Sequence, residues 1–292
     1  MIASPTPRAP DWIRERKLRL SDLHGVKSLM RSHALNTVCE EARCPNRGEC
    51  FSRGTATFLL MGNLCTRACG FCDIANGRPQ PLDPTEPARV RAAAAQMRLQ
   101  FVVLTSVDRD DLEDGGAAHF AATIEAIRTL EPKPGIEALT PDFRGRLESV
   151  RVVVEAKPNV FNHNVETVPR LYATVRRGAR LDRSLGLLAS AKAMERTLTT
   201  KSGFMLGLGE RDEEVRELLE RLREAAVDIV TIGQYLRPSP ENLPVAEYVA
   251  PEAFDRYREF GERLGFRHVF AGPFVRSSYR AEEALAAASK DA

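Results

Sequence analysis

Residues 57–72 read Thr57-Phe58-Leu59-Leu60-Met61-Gly62-Asn63-Leu64-Cys65-Thr66-Arg67-Ala68-Cys69-Gly70-Phe71-Cys72. A short, unbroken apolar run, Thr57–Met61, is followed at once by glycine and a cysteine-bearing loop. Such a run is long enough for a strand buried on both faces and too short for a helix. Working outward, the same unit recurs. Further runs occur at Phe101–Thr105, Gly135–Leu139, Asn159–Asn162, Gly203–Leu206 and Asp228–Ile232. Between them lie stretches of helical character, Pro87–Arg98, Gly116–Leu130, Asp142–Glu155, Thr167–Arg176 and Glu213–Ala226. Parallel strands need crossovers of this length, so six units in series predict an α/β fold with a parallel sheet. A dinucleotide-binding sheet would show G-x-G-x-x-G after a strand. The only similar stretch, Gly203-x-x-x-Gly207-x-Gly209, has the wrong spacing.

Polar residues gather where these strands end: Ser106-Val107-Asp108, Thr140-Pro141-Asp142, His163-Asn164, Gly207-Leu208-Gly209-Glu210 and Gln234-Tyr235. A parallel barrel builds its site from those ends. The loop carrying Cys65, Cys69 and Cys72 should therefore form one wall of the mouth.

The chain has 292 residues, 43% of them hydrophobic, and a formal net charge of +2. Lys and Arg are scattered among nearly as many acids, which argues against a nucleic-acid partner. No apolar run approaches the roughly 18 residues of a membrane helix. Met1–Pro10 has no apolar segment, so no secretory signal is expected. A cytoplasmic location is expected, where grouped cysteines read as metal ligands rather than disulfides.

There are six cysteines in all. They form two triplets, Cys39, Cys44, Cys50 and Cys65, Cys69, Cys72. Each triplet is one ligand short of a closed tetrahedral zinc or a fully ligated iron–sulfur cluster. The spacings, C-x4-C-x5-C and C-x3-C-x2-C, differ, so two different sites are expected. A zinc knuckle would pair a C-x2-C with a second half-site, and none lies near the second triplet. The acidic run Asp108, Asp110, Asp111, Asp114 fits no EF-hand spacing, and interspersed Arg109 favours a salt-bridged loop.

The signature Cys65-x3-Cys69-x-Phe71-Cys72 directly after a first strand resembles the radical S-adenosylmethionine superfamily. With the upstream triplet, the resemblance narrows to the lipoyl synthase family. It extends through Gly54–Phe58, Thr105–Leu112, Pro141–Gly145, Phe161–Asn164, Thr200–Gly203 and Gly233–Leu236, and closes on Gly272–Tyr279 (GPFVRSSY). One departure is Arg180-Leu181, where an acidic residue followed by tyrosine is expected.

The resemblance implies a partial (β/α)6 barrel over residues 56–270. Residues 1–55 would form an N-terminal extension with a short helix around Leu23–Leu35, and 271–292 a C-terminal segment. It implies two [4Fe–4S] clusters and S-adenosyl-L-methionine as cofactors. Cys65, Cys69 and Cys72 would hold the radical cluster, leaving one iron open to S-adenosylmethionine. Cys39, Cys44 and Cys50 would hold an auxiliary cluster, completed by a serine of Arg276-Ser277-Ser278-Tyr279, with Ser278 favoured over Ser277. Thr105, Ser106, Glu137, Asn162, Gly207 and Gly209 occupy positions of contacts to S-adenosylmethionine.

The implied reaction is insertion of two sulfurs, at C6 and C8, into a protein-bound octanoyl-lysine. Unactivated C–H bonds offer no acidic proton and no leaving group, so a 5′-deoxyadenosyl radical abstracts hydrogen and a cluster sulfide supplies sulfur. The implied partners are octanoylated lipoyl domains (2-oxoacid dehydrogenase E2 subunits and the glycine cleavage H protein). A ferredoxin- or flavodoxin-type reductant and an iron–sulfur carrier for cluster repair complete the set. A monomer is expected. His163 is expected to be a hydrogen-bonded structural histidine, and Arg176-Arg177-Gly178-Ala179-Arg180 a solvated basic stretch.

Overall fold

Alternate residues of the second strand, Phe101 to Ser106, divide between two environments, and this division organises the fold. The computed structural model describes residues 7–14, 28–38, 46 and 55–278. Val102 and Leu104 join the main hydrophobic core. Phe101 and Val103 instead form a small inner cluster with Val160. Both faces of the sheet are therefore covered, which is why the strands read as continuous apolar runs rather than alternating ones.

The strands are β1 (Asn36–Thr37), β2 (Thr55–Leu60), β3 (Phe101–Ser106), β4 (Gly135–Leu139), β5 (Val160–Asn162), β6 (Thr199–Leu206), β7 (Ile229–Gln234) and β8 (His268–Gly272). They form one sheet in the order β1 to β8. β1 is antiparallel to β2, and every later neighbour pair is parallel. The sheet does not close on itself, as a partial barrel requires.

The crossover helices are α1 (Glu86–Gln96), α2 (Ala117–Arg128), α3 (Leu147–Glu155), α4 (Leu181–Met194), α5 (Asp212–Glu224) and α6 (Pro251–Arg263). The amphipathic pattern of α5 buries Val215, Leu218, Leu219 and Leu222 at helical spacing. Among the described residues, no helix is long and apolar enough to cross a membrane.

Each of the six expected strands is present, with three differences. A seventh parallel strand, β8, pairs with β7 through Ile229↔His268 to Gly233↔Gly272. It follows α6, so the alternation runs one unit further than the sequence reading took it. β6 begins four residues before Gly203, because Thr199–Ser202 are polar and yet buried. The crossover between β5 and β6 is not a helix over Thr167–Arg176. That stretch holds only short turns, Pro169–Leu171 and Tyr172–Val175, and the long helix is α4. Leu181, part of the departure noted above, is buried as the first residue of α4.

Of the N-terminal extension, residues 28–32 are helical. Leu23, the first cysteine triplet Cys39, Cys44 and Cys50, and Tyr279 lie outside the described residues.

Candidate active site

The cysteine loop leaves β2 through two residues in left-handed backbone, Met61 (φ 66) and Gly62 (φ 91). A non-glycine residue holds that conformation only where its surroundings enforce it. Here the Met61 amide donates to Glu86 Oε2 at 2.9 Å, and the same oxygen pairs with His119 Nε2 at 2.6 Å. Arg109 donates to the Met61 carbonyl from the other side. Beyond this turn, Cys65 N donates to Ala75 O and Gly77 N to Cys65 O, closing the loop on itself. Gly70 bonds both Val175 and Leu243, and Asn242 Nδ2 donates to Cys72 O at 2.8 Å. The loop is thus tied to the segments that follow β5 and β7 as well as to its own strand.

Arg67, inside the cysteine motif, is the electrostatic hub of the mouth. It donates two bonds of 2.7 Å to Asp110 and one of 2.7 Å to Asp142. Asp142 is fully buried and also receives Arg183 at 3.0 Å. Burial opposes ionisation of Asp142, yet the Arg67 guanidinium holds it well below the ordinary carboxylate range. Arg109 pairs with Asp111, and Asp114 accepts from the amides of Gly116 and Ala118. The acidic run is a salt-bridged, helix-capping loop, as its interspersed arginine indicated.

Cys65, Cys69 and Cys72 all line one cavity of about 150 Å3, with Thr105, Ser106, Asp108, Asn164, Glu166 and Arg176. Among the described residues, no three His, Cys, Asp or Glu side chains converge on a single metal ion. Burial raises the pKa of all three thiols, Cys69 to about 12 and Cys72 to about 11. Unliganded, they are neutral. Iron supplies the positive charge that keeps such thiolates ionised, so the donor set fits an iron cluster.

A larger cavity of about 500 Å3 opens above the barrel interior. That size suits a small-ligand cleft. Cys72, Thr105 and Ser106 line it together with Val38, Val275, Arg276, Ser277 and Ser278. Apolar side chains, among them Leu59, Phe71, Ile74, Leu139, Phe204 and Met205, make up much of the remaining wall. Gly203 and Gly233 line it too: a Cβ on Gly233 would lie 2.2 Å from Val275 O, and one on Gly203 2.3 Å from Thr231 Oγ1. The C-terminal segment therefore lies directly on the backbone of β7.

Two of the proposed S-adenosylmethionine contacts, Thr105 and Ser106, line both cavities, and the buried Ser106 Oγ has no hydrogen-bond partner among the described residues. Glu137 and Asn162 sit deeper. Glu137 forms a 2.8 Å ion pair with Lys201, both side chains fully buried, and Asn162 Nδ2 donates to Glu137 at 2.6 Å. Gly207 (φ 100) and Gly209 (φ 109) lie on the loop after β6, outside the residues lining either cavity. A Cβ on Gly207 would meet Gln234 Nε2 at 2.1 Å, so its glycine serves packing against β7.

His163 is the structural histidine expected. It is fully buried, and its Nδ1 donates to Thr140 O, leaving Nε2 to accept from Ser184 and Arg176. Burial first, then Arg176, lower its pKa to about 3, so the ring is neutral. The basic stretch is divided by the fold: Arg176 turns into the cavity wall, while Arg177 and Arg180 are exposed. Arg67, Asn164, Glu166 and Arg176 were not among the residues singled out for the site. Glu166 has left-handed backbone, φ 67, and bridges to Phe204 of β6.

Comparison with known proteins places this geometry. The Radical SAM superfamily matches residues 59–233. A lipoyl synthase of Azotobacter vinelandii is 53% identical over 286 residues, covering 98% of this chain and 88% of that protein. One of Caldanaerobacter subterraneus subsp. tengcongensis is 55% identical over 283 residues, covering 97% and 99%. Among solved structures, HydG, a maturase of the [FeFe]-hydrogenase, has a TM-score of 0.56 at 14% identity. It matches 73% of this chain, which spans 50% of that structure. Methylornithine synthase has a TM-score of 0.51 at 16% identity, with 79% and 65% covered. Those structures share the fold. With its cysteine loop at the mouth of a partial barrel and more than half its residues shared with such relatives, the chain belongs to the lipoyl synthase family of the radical S-adenosylmethionine superfamily.

Proposed function

We propose that this chain inserts sulfur at C6 and C8 of an octanoyl-lysine carried on a lipoyl domain, using two [4Fe–4S] clusters and S-adenosylmethionine. Cys65, Cys69 and Cys72 hold the first cluster, and Cys39, Cys44, Cys50 and Ser278 the second. When bound, these groups supply the 5′-deoxyadenosyl radical that abstracts hydrogen and the sulfide that replaces it. The chain's own residues provide position and dryness. Thr105 and Ser106 offer polar groups beside the cysteine loop, suited to a nucleoside or amino acid moiety. Glu137 and Asn162 form a polar layer beneath them, and Gly207 and Gly209 allow the β6 loop to pack closely. The apolar wall suits an alkyl chain and excludes water, which would quench reactive intermediates.

One observation carries the reading: Cys72, Val38 and Ser278 line a single cavity. Val38 immediately precedes Cys39. Asn46, between Cys44 and Cys50, is buried and its Nδ2 donates to Phe274 O at 2.6 Å. One residue beside the first triplet's cysteines, Asn46, therefore bonds the C-terminal segment, and another, Val38, lines the same cavity as Ser278. An alkyl chain held there lies between the radical source and the sulfur source, the near-attack arrangement such a transfer needs.

A ferredoxin- or flavodoxin-type reductant, an iron–sulfur carrier, a monomeric state and the three-part division 1–55, 56–270 and 271–292 belong to the same proposal. The test is Ser278→Ala, assayed with an octanoyl-lysine peptide after anaerobic reconstitution. Deoxyadenosine formation should persist while thiolated product is lost. Persistent sulfur insertion would overturn the assignment of Ser278.

A further inference from the structure

The buried ion pair at the centre of the barrel connects, through the side chain of Asn162, to the serine beside the proposed iron ligand. Lys201 Nζ donates to Glu137 Oε2 at 2.8 Å. Glu137 Oε1 accepts from Asn162 Nδ2 at 2.6 Å, and the same Nδ2 donates to Ser277 Oγ at 2.9 Å. Ser277 Oγ donates in turn to Asn164 Oδ1 at 3.0 Å. Each link has a fixed direction. The Glu137 carboxylate accepts only, so the Asn162 amide must present its NH2 group there; flipping it would set oxygen against oxygen. That NH2 group then meets a lone pair of Ser277, which directs the hydroxyl proton toward Asn164.

The neighbouring serine differs. Ser278 lines the same cavity and has no hydrogen-bond partner among the described residues. Ser277 is committed as donor and acceptor, whereas Ser278 makes no such bond among the described residues.

We propose that Asn162 and Asn164 clamp Ser277 as an anchor, and that this clamp sets the position of Ser278 for the auxiliary cluster. The inference rests on the proposed ligation by Ser278 and adds that Asn162 is a positioning residue, with Ser277 excluded as the ligand. Two further ties fit this role. Gln234 N donates to Pro273 O at 3.3 Å, and Asn46 holds Phe274 O. Those ties hold the start of the segment, and the asparagine clamp holds Ser277 near its end. A ligand on a segment tethered at one end would sweep a volume, whereas cluster ligation needs position within a fraction of an ångström.

The test uses the anaerobically reconstituted holoenzyme and the variants Asn162→Ala, Ser277→Ala, Ser277→Thr and Ser278→Ala. Two readouts are taken: amide hydrogen exchange over residues 273–278, and the Mössbauer signature of an oxygen-ligated iron. Asn162→Ala and Ser277→Ala should each accelerate exchange about tenfold, the factor for one lost net hydrogen bond. Both should broaden the oxygen-ligated iron signal, and Ser277→Thr should restore both readouts. Ser278→Ala should abolish the iron signal and leave exchange unchanged. The clamp is overturned if Ser277→Ala leaves exchange at the wild-type rate, or abolishes the iron signal while Asn162→Ala retains it. If Ser278→Ala and Ser277→Ala both retain the signal, the ligation reading fails by itself, and exchange still decides the clamp. Ser277 is only part-buried, so its variants keep the test available should Asn162→Ala not fold.

Discussion

Replacing Lys201 with methionine isolates the charge at the centre of the barrel. Lys201 and Glu137 have no exposed side-chain surface and are 2.8 Å apart. The pair lies beside Asn162, which faces Lys201 in register across β5 and β6. Methionine matches the length and bulk of the lysine stem, so Lys201→Met removes the charge with little change in packing. What remains is a carboxylate in a low-dielectric interior with one amide donor. Breaking a buried pair on one side costs roughly 3–5 kcal/mol, because the surviving charge is uncompensated. With a urea m-value of about 3 kcal/mol/M, the unfolding midpoint should fall by roughly 1–2 M. The double variant Lys201→Met, Glu137→Gln removes both charges and keeps an acceptor for Asn162. It should recover most of the loss, since replacing both partners of a buried pair is often near neutral. Urea unfolding of the wild type, both single variants and the double variant measures the coupling directly. A midpoint within 0.3 M of wild type for Lys201→Met, a threshold of about 1 kcal/mol at that slope, would refute the reasoning.

The remaining predictions concern the neighbourhood of the site. His163 has its pKa lowered from 6.5 to about 3, chiefly by burial and then by Arg176, with Asp142 opposing and Arg67 assisting. The unfolded chain binds a proton below pH 6.5 that the folded chain refuses, so this contribution to stability is present above that pH and lost on acidification. The loss is about 1.4 kcal/mol per unit and near 3 kcal/mol by pH 4.5. His163→Gln should flatten the fall in urea midpoint between pH 7 and 4.5; parallel profiles would exclude it. Gly233→Ala places a methyl 2.2 Å from Val275 O and must displace the C-terminal segment. Thiolated product should drop at least tenfold while the cysteine loop still supports deoxyadenosine formation; equal loss of both would show that the segment and the loop are not separable. Cys69→Ala should abolish deoxyadenosine formation and lower iron content by about half.

The site's chemistry and its framework separate cleanly in how they were legible. The cysteine loop, its place after the first strand and the polar strand ends could be read directly, because ligand spacing and apolar runs are local properties of the chain. Arg109 as an acidic-loop partner followed the same local logic. The seventh strand escaped because only one residue of His268–Gly272, Val269, is buried, so it lacks the unbroken apolar run of the others. The polar start of β6 escaped because Lys201 and Ser202 look solvent-facing until their partners are known. Arg176 read as part of a basic surface stretch, although its guanidinium faces the cavity.

The amino-acid sequence by itself determined the chemistry of this protein: two incomplete cysteine sets, a strand rhythm and a terminal serine pair, each defined by residue type and spacing. Only the tertiary structure decided which groups meet. Asn46 reaches Phe274 across 228 residues, Lys201 finds Glu137 across 64, and Asn162 finds Ser277 across 115. Such pairings leave no periodic trace along the chain. They exist because burying polar groups is costly until each finds its partner, and partners are chosen by the fold rather than by proximity in sequence.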